Sequence, residues 1–313
     1  MPGESFKAAA VQASPLFLKR TEATEKACRL IGEAAKGGAR IVAFSEAWLT
    51  GYGGHGWVEE NGPEWFNFAA RYNEQAVDVP SPTTDRLCEA AREHDIDVVM
   101  GVVERDTRTR GTLYCTILFI GREGEIIGKH RKMKPTGGER LQWGEGAGDT
   151  LTVYDRGYAR ISALNCWENI LPLPCFALMA QGTELHMALW PGEEMASAPE
   201  GPGGFWPRQH LHSRAFASSG ACYVMCVAGF NSQSDIPSDV RDYYSTQNGD
   251  SAIIDPRGEF VAGPLHGEEG ILFAEIDLTA VRGAKAAMDS AGHYSRPDVF
   301  RLDVKGKRIF GDD

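Results

Sequence analysis

A cysteine at a strand-to-helix junction is the first residue of this sequence that could carry covalent chemistry. Cys166 stands in the segment ALNCWEN, after an apolar run and ahead of a segment with helical character. Backbone N–H groups and the dipole at a helix start favour a thiolate, which is the nucleophilic form of cysteine. The alternative is a small buried apolar side chain. The neighbours Trp167 and Glu168 favour the reactive interpretation.

A nucleophilic cysteine needs a base, and here the sequence offers a glutamate rather than a histidine. The eight histidines form no known Cys–His signature with Cys166. A carboxylate can accept the thiol proton when burial has raised its pKa. Glu46 suits this role, because it lies in FSEAWLTGYG at the end of a buried-strand pattern. A solvated strand end is the alternative interpretation, and position alone does not decide between the two.

Positive charge is concentrated in the segment KHRKMKP, which contains Lys132. In a protein of net charge −11 this segment is conspicuous. It is either a solvated basic edge or the source of a buried ammonium group that stabilises a developing anion. Glu139 follows nearby and adds a second carboxylate. Cys166, Glu46, Lys132 and Glu139 together could attack an electrophilic carbon, move protons and stabilise negative charge.

Strand and helix patterns alternate along the chain and would position these residues. Apolar runs predict strands over Lys7–Ala13, Ala39–Phe44 and Leu151–Tyr154, and helical spacing predicts a helix over Thr21–Lys36. Gly121–Gly124 predicts a hairpin turn between antiparallel strands. Without a linker or repeat, the pattern predicts an α/β fold with mixed sheets covered by helices. We expect one domain over residues 1–313, with a short C-terminal tail from about residue 285, since a boundary near residue 150 would split the four residues.

The composition limits the classes of partner and compartment. A hydrophobic fraction of 42% and a charged fraction of 24% are typical of globular proteins. Net negative charge argues against capture of nucleic acid or of an anionic membrane. Seven scattered cysteines do not suggest a disulfide scaffold, and neither a membrane-spanning run nor a secretory signal is visible. We therefore expect a cytoplasmic protein that binds neither nucleic acid nor membrane.

Three blocks of this sequence resemble the signature blocks of the nitrilase superfamily, the carbon–nitrogen hydrolases. The blocks are FSEAWLTGYG, HRKMKPTGGERLQWGEG and LNCWENILPL, in the family's order. Cys followed by Trp-Glu, with Pro-Leu downstream, is most similar to the true nitrilase branch. Two features depart from the family's pattern. Ser45 stands where the family usually has proline, and the chain stops at Asp313, which argues against long filaments.

The resemblance implies a four-layer α-β-β-α sandwich and hydrolysis of a small nitrile to its carboxylic acid and ammonia. It implies Cys166 as nucleophile, Glu46 as general base, Lys132 as the group that stabilises the tetrahedral species, and Glu139 as a second glutamate that positions substrate or the lysine. It implies no metal and no organic cofactor, and the sequence contains no CxxC or HExxH motif. A homodimer or higher homo-oligomer is the expected assembly. An amidase or carbamoylase of the same superfamily, or a non-catalytic scaffold, remains an alternative.

Substrate-binding residues are expected among aromatic side chains close to the three blocks. Trp48, Tyr52, Trp57 and Trp167 lie beside catalytic candidates, and Trp190 and Pro191 follow a buried-strand pattern. Such residues could line an apolar pocket for an aryl or arylaliphatic nitrile. For at least half of the aromatic residues in a protein of this size, a place in the core is the better interpretation.

Overall fold

The computed structural model describes residues 5–53, 62–192 and 208–312. Fifteen strands lie within these ranges: β1 (Ser5–Gln12), β2 (Ala39–Ala43), β3 (Asp97–Arg105), β4 (Leu113–Gly121), β5 (Glu125–Arg131), β6 (Tyr154–Asp155), β7 (Arg160–Asn165), β8 (Leu185–Trp190), β9 (Tyr223–Ala228), β10 (Phe230–Asn231), β11 (Gln247–Ile254), β12 (Phe260–His266), β13 (Gly270–Asp277), β14 (Leu302–Val304) and β15 (Lys307–Phe310). The same ranges contain six α-helices: α1 (Arg20–Lys36), α2 (Pro63–Gln75), α3 (Pro82–Glu93), α4 (Pro172–Ala180), α5 (Arg208–Gly220) and α6 (Leu278–Ala287).

Two mixed sheets form the centre of the fold. The first sheet has the order β13-β1-β2-β3-β4-β5, with β1, β2 and β3 parallel and the outer strands antiparallel. The second has the order β10-β11-β9-β8-β7-β6, with β12 paired to β11, and its parallel strands are β7, β8 and β9. The parallel strands are nearly continuous apolar runs because they are buried on both faces.

Successive side chains along a strand point to opposite faces of its sheet, so each sheet contributes to two hydrophobic cores. One core lies between the two sheets, and one lies under the helices on each outer face. On β1, Ala8 and Ala10 face the second sheet, whereas Ala9 and Val11 pack against helices. Helices α1 and α3 cover the outer face of the first sheet, and α4 and α5 cover the outer face of the second. This arrangement is the expected four-layer α-β-β-α sandwich.

Most local predictions are confirmed to within two residues. The helix predicted over Thr21–Lys36 is α1, and the turn at Gly121–Gly124 joins the antiparallel strands β4 and β5. The strand predicted over Leu151–Tyr154 is wrong. A 3-10 turn over Gly148–Thr150 precedes it, and only the two residues of β6 pair with β7. Leu151 and Val153 pack against the outer core of the second sheet, so their apolar character comes from burial and not from strand pairing.

None of the helices in the described ranges is long and apolar enough to cross a membrane.

Candidate active site

Three of the four predicted catalytic residues meet around one buried ammonium group. Nζ of Lys132 donates to Oε1 of Glu46 at 2.8 Å and to the two carboxylate oxygens of Glu139 at 2.9 and 2.7 Å. The side chains of Lys132 and Glu46 are fully buried, and that of Glu139 nearly so. When both carboxylates are ionised, the ammonium between them leaves Lys132, Glu46 and Glu139 with one net negative charge. The solvated interpretations of Glu46 and Lys132 are therefore wrong.

Glu46 is placed by a tight turn at the end of β2. The turn carries Ala47 at φ +49 and packs directly over β3, where Gly101 has no side chain. A Cβ at Gly101 would lie 2.0 Å from the carbonyl oxygen of Ser45. Glycine at that position is therefore what allows the turn to approach the sheet closely.

Glu139 and Lys132 are positioned by main-chain contacts and a tyrosine. Glu139 lies in the 3-10 helix Gly137–Leu141, where its Oε2 accepts the backbone N–H of Thr136 at 2.7 Å. The hydroxyl of Tyr52 donates to Oε1 of Glu139 at 2.8 Å. The backbone N–H of Lys132 donates to the carbonyl oxygen of Cys115 at 2.8 Å. Each of the two carboxylate oxygens of Glu139 therefore accepts two donors.

Cys166 comes from the other sheet. It begins the 3-10 helix Cys166–Ile170 directly after β7 and has φ +46, a conformation uncommon for a residue other than glycine. Asn169 supports this turn, because its Nδ2 donates to the carbonyl oxygens of Cys166 at 2.9 Å and of Leu164 at 3.2 Å. The Cys166 Sγ and one carboxylate oxygen each of Glu46 and Glu139 lie within 4.8 Å of one another. The structure thus brings all four predicted catalytic residues together.

The Cys166 sulfur and the carboxylates of Glu46 and Glu139 are also groups that can ligate a cation. The ammonium of Lys132 already contacts both carboxylates. The arrangement therefore suits acid–base chemistry and anion stabilisation by the chain's own residues.

Burial is the largest influence on the pKa of Glu46, the proposed base, and on that of Cys166, the proposed nucleophile. Burial and the Glu139 charge raise the pKa of Glu46 to about 7, although Lys132 opposes this. Burial, with the charge of Glu46, also raises the pKa of the Cys166 thiol well above its ordinary value. Burial alone would lower the pKa of Lys132, but the charges of Glu46, Cys166 and Glu139 raise it well above its ordinary value.

The resting state follows from these shifts. Near neutral pH Cys166 is a thiol, Glu46 is close to half-ionised and Lys132 is charged. The helix start at Cys166 does not produce a resting thiolate, because desolvation of the buried sulfur exceeds the effect of a single short turn. A base is consequently required to remove the thiol proton.

Glu168, the residue two positions after the nucleophile, accepts hydrogen bonds from three directions. Its oxygens accept the backbone N–H groups of Met133 at 2.9 Å and Asn165 at 3.0 Å. They also lie 3.1 and 3.2 Å from Nε2 of His130. Burial opposes ionisation of Glu168, but His130 and the two N–H groups outweigh it and lower its pKa. Glu168 therefore connects the segment that carries Lys132 to the turn that carries Cys166.

The predicted substrate-binding residues lie in different surroundings. Tyr52 and Pro191 line a small cavity beside Glu46. Trp190 is buried in the outer core of the second sheet, and its indole N–H faces Ser213 Oγ at 3.4 Å. Trp167 is 36% exposed and lies under the guanidinium of Arg208. Binding by these four residues stays a prediction.

Two further aromatic residues were expected close to the site. Trp57 lies outside the described residues. Trp48 is a core residue whose indole N–H donates to the carbonyl oxygen of Ala13 at 2.7 Å.

Sequence reasoning missed two residues at the site. Cys115 on β4 has its Sγ 3.3 Å from Oε1 of Glu46. His130 on β5 contacts Glu168. The signal for His130 was present, since it lies in the same basic segment as Lys132. Cys115 had no signal, because a cysteine within an apolar strand pattern is typical of core.

Comparison with known proteins gives one consistent result. A profile of the carbon–nitrogen hydrolase family matches residues 7–286. The chain is 44% identical over 299 residues to "Nitrilase 2" of an unknown prokaryotic organism, covering 94% of this chain and 90% of the relative. It is 40% identical over 308 residues to the "Aliphatic nitrilase" of Rhodococcus rhodochrous, covering 96% and 82%.

A solved structure shares the fold at low sequence identity. Nit3 of Saccharomyces cerevisiae, described as a member of branch 10 of the nitrilase superfamily, aligns with a TM-score of 0.76 at 20% identity. The alignment covers 94% of this chain and 97% of that one.

Proposed function

Because this chain belongs to the carbon–nitrogen hydrolase family, we propose that it is a nitrilase, which converts an organic nitrile to the carboxylic acid and ammonia. The observation that carries this proposal is the buried cluster in which Lys132 joins Glu46 and Glu139 beside the Cys166 thiol. The relatives that share 38–44% of their residues with this chain over most of its length are named nitrilases.

The first half of the reaction forms a covalent intermediate. Glu46 accepts the Cys166 thiol proton while the sulfur bonds to the nitrile carbon, and the proton passes to the nitrile nitrogen, which gives a thioimidate. Water then adds to the thioimidate carbon with its proton taken by Glu46. The nitrogen leaves as ammonia after protonation, and a thioester remains. Covalent catalysis divides one difficult hydrolysis into easier steps.

The second half releases the acid. A second water, deprotonated by Glu46, attacks the thioester carbon, and the Cys166 sulfur leaves and recovers its proton. The ammonium of Lys132 and the backbone N–H of Trp167 stabilise the negative charge that develops in each tetrahedral species. One such donor typically contributes a few kcal/mol to the transition state. Glu139 holds Lys132 at the position where that charge appears.

A panel of nitriles and their matching amides tests this function. We expect the purified chain to release ammonia and acid from at least one nitrile faster than from the corresponding amide. The Cys166→Ala variant is expected to release no ammonia. A matched control is Cys222→Ala, which removes a fully buried thiol from the outer core.

Three results would contradict the assignment. Dominant hydrolysis of the amides would make the protein an amidase or carbamoylase of the same family. A scaffold function would be indicated if no nitrile or amide reacts and an electrophilic substrate analogue adds no mass at Cys166. Turnover by Cys166→Ala would remove the cysteine from its proposed role.

We also propose that the protein is a homo-oligomer, assembled through the face formed by α4, α5 and the C-terminal segment. Leu173, Tyr294 and Phe300 are each about two-thirds exposed there and line an apolar cavity of about 750 Å³. Contiguous exposed apolar surface of this kind marks an interaction site. Light scattering after chromatography tests this, and we expect Leu173→Glu to shift the mass towards that of one chain. A wild-type mass of 34.2 kDa would contradict it.

We further propose a single domain over the whole chain and a cytoplasmic location. The family match over residues 7–286 supports the former. All seven cysteines are unpaired, which suits a reducing compartment.

A further inference from the structure

A second thiol contacts the proposed base. Cys115 lies on β4, buried to 1% exposure, and its Sγ is 3.3 Å from Oε1 of Glu46. It also belongs to a hydrophobic cluster that contains Val103 and Tyr72. Its carbonyl oxygen accepts the backbone N–H of Lys132 at 2.8 Å. One residue of β4 therefore contacts both the base and the segment that carries the ammonium group.

The two oxygens of the Glu46 carboxylate have different surroundings. Oε1 lies within hydrogen-bond distance of two donors, the ammonium of Lys132 at 2.8 Å and the thiol of Cys115. Oε2 is buried and has no hydrogen-bond partner in the part of the chain that the structure describes. A buried carboxylate oxygen without a donor is costly, unless a transferable proton or a substrate atom meets it during the reaction.

We propose that Cys115 is a positioning residue for Glu46: its thiol donates to Oε1 and so leaves Oε2 as the oxygen that exchanges protons with Cys166 and water. This inference rests on the proposed function. No bond to Cys115 forms or breaks. The proton that leaves the Cys166 sulfur goes to Oε2, and Cys115 keeps its own proton throughout.

The protonation of Cys115 agrees with the role of a donor. Burial, reinforced by the charge of Glu46, raises the pKa of this thiol well above its ordinary value, so that it carries its proton at neutral pH. The charged and titratable groups that face Glu46 are Lys132, Glu139, Cys166, Cys115 and, through Glu139, Tyr52. Among them, Lys132 and Cys115 are the groups whose hydrogen bonds favour the ionised form of Glu46.

Loss of the Cys115 thiol should shift the acid limb of the pH profile, the part in which kcat/KM rises as Glu46 becomes ionised. Loss of a donor to the carboxylate raises its pKa, and the base then becomes available only at higher pH. A neutral hydrogen bond corresponds to about half to one pKa unit. We therefore expect Cys115→Ala to move the acid limb upward by about that amount. Cys115→Ser restores a donor and should return the limb to the wild-type position or below it.

The experiment measures this limb in two ways. The first is kcat/KM for an accepted nitrile against pH. The second is the rate at which iodoacetamide adds to Cys166, followed by peptide mass, which needs no turnover. Because the second readout is independent of the nitrilase assignment, failure of the proposed function leaves the test of Cys115 intact.

Control variants distinguish a positioning role of Cys115 from a role in core packing alone. Cys222→Ala creates a cavity of the same size away from the site and should not move the limb. If Cys115→Ala does not fold, Cys115→Val and Cys115→Thr form a pair of equal shape that differs in the hydroxyl, and β-branched residues suit a strand. The proposal is overturned if the limb of Cys115→Ala coincides with that of wild type, or if the serine and threonine variants behave like their donor-free counterparts.

Discussion

Replacement of Glu139 by glutamine tests how the second carboxylate tunes the base. The change removes one negative charge at nearly constant shape. One oxygen of Glu139 lies within 4.8 Å of one oxygen of Glu46. At an effective dielectric constant of about 20, two unit charges at that distance repel by about 3 kcal/mol, and Lys132 between them reduces the effect. The Glu139 charge raises the pKa of Glu46, so its removal must lower that pKa.

The expected outcome is a downward shift of the acid limb by about 1 to 2 pH units. The base is ionised in the wild type above a pKa of about 7, and in Glu139→Gln it should ionise at lower pH. We also expect kcat to fall about tenfold or more, because Lys132 loses a charged partner that fixes its position. The base therefore becomes available at lower pH while the maximal rate falls, a combination that a simple loss of folded protein cannot produce.

A stability cost should accompany the kinetic effect. The carboxylate of Glu139 accepts four hydrogen bonds, two of them from Tyr52 and the backbone of Thr136. The glutamine amide has only one acceptor oxygen, and its NH2 group would face hydrogen-bond donors. The free energy of unfolding should fall by about 1–3 kcal/mol.

Measurement of kcat/KM against pH, with chemical denaturation in parallel, checks these expectations. The matched control is Glu145→Gln, which removes an exposed carboxylate from the same segment, where it pairs with Lys134. The control should leave the limb in place. An acid limb of Glu139→Gln that stays near 7 or moves upward would refute the electrostatic reasoning.

Two further predictions concern how the site is held. Gly101→Ala should lower the melting temperature by several degrees and reduce kcat, because its Cβ would lie 2.0 Å from the Ser45 carbonyl oxygen; Gly111→Ala, whose Cβ meets no atom within 4 Å, should do neither. Glu168→Gln should destabilise the fold by about 1–3 kcal/mol at pH 7, as measured by denaturant unfolding. Since His130 and two N–H groups lower the pKa of Glu168, its contribution is present above the ordinary value of 4.5 and is lost as pH falls through the folded value. The difference between wild type and variant should therefore shrink in acid, and a constant difference would contradict this account.

The sequence contained enough information for the elements and the main cluster. Buried strands appear as apolar runs, so β2 and the position of Glu46 at its end could be predicted. The family blocks then linked Glu46, Lys132 and Cys166 before any geometry was known. The blocks do not show which side chains are buried. The burial of Lys132 in the structure is what identifies it as part of a site and not of a solvated edge.

Contacts between distant strands could not be predicted in the same way. Cys115 lies in an apolar strand pattern, and its contact with Glu46 depends on the pairing of β4 with β3 and on the turn that crosses β3 at Gly101. His130 lies on β5 of the first sheet and Glu168 in the 3-10 helix that follows β7 of the second, so their contact depends on how the two sheets pack. The local pattern around a residue specifies its element but not the partner that tertiary packing brings to it.

The protonation states of the site residues explain when Cys166 becomes nucleophilic. When Glu46 is ionised, two carboxylates and one ammonium leave a net negative charge beside the Cys166 sulfur, and burial adds to the cost of a second anion there. The thiol therefore stays protonated until an electrophilic carbon is in place, and Glu46, with a pKa of about 7, can accept the proton as the C–S bond forms. A thiol held in this form is also less exposed to oxidation than a thiolate, because oxidation proceeds through the ionised sulfur. The rate of reaction of Cys166 with small electrophiles should consequently follow the ionisation of Glu46 rather than that of the cysteine itself.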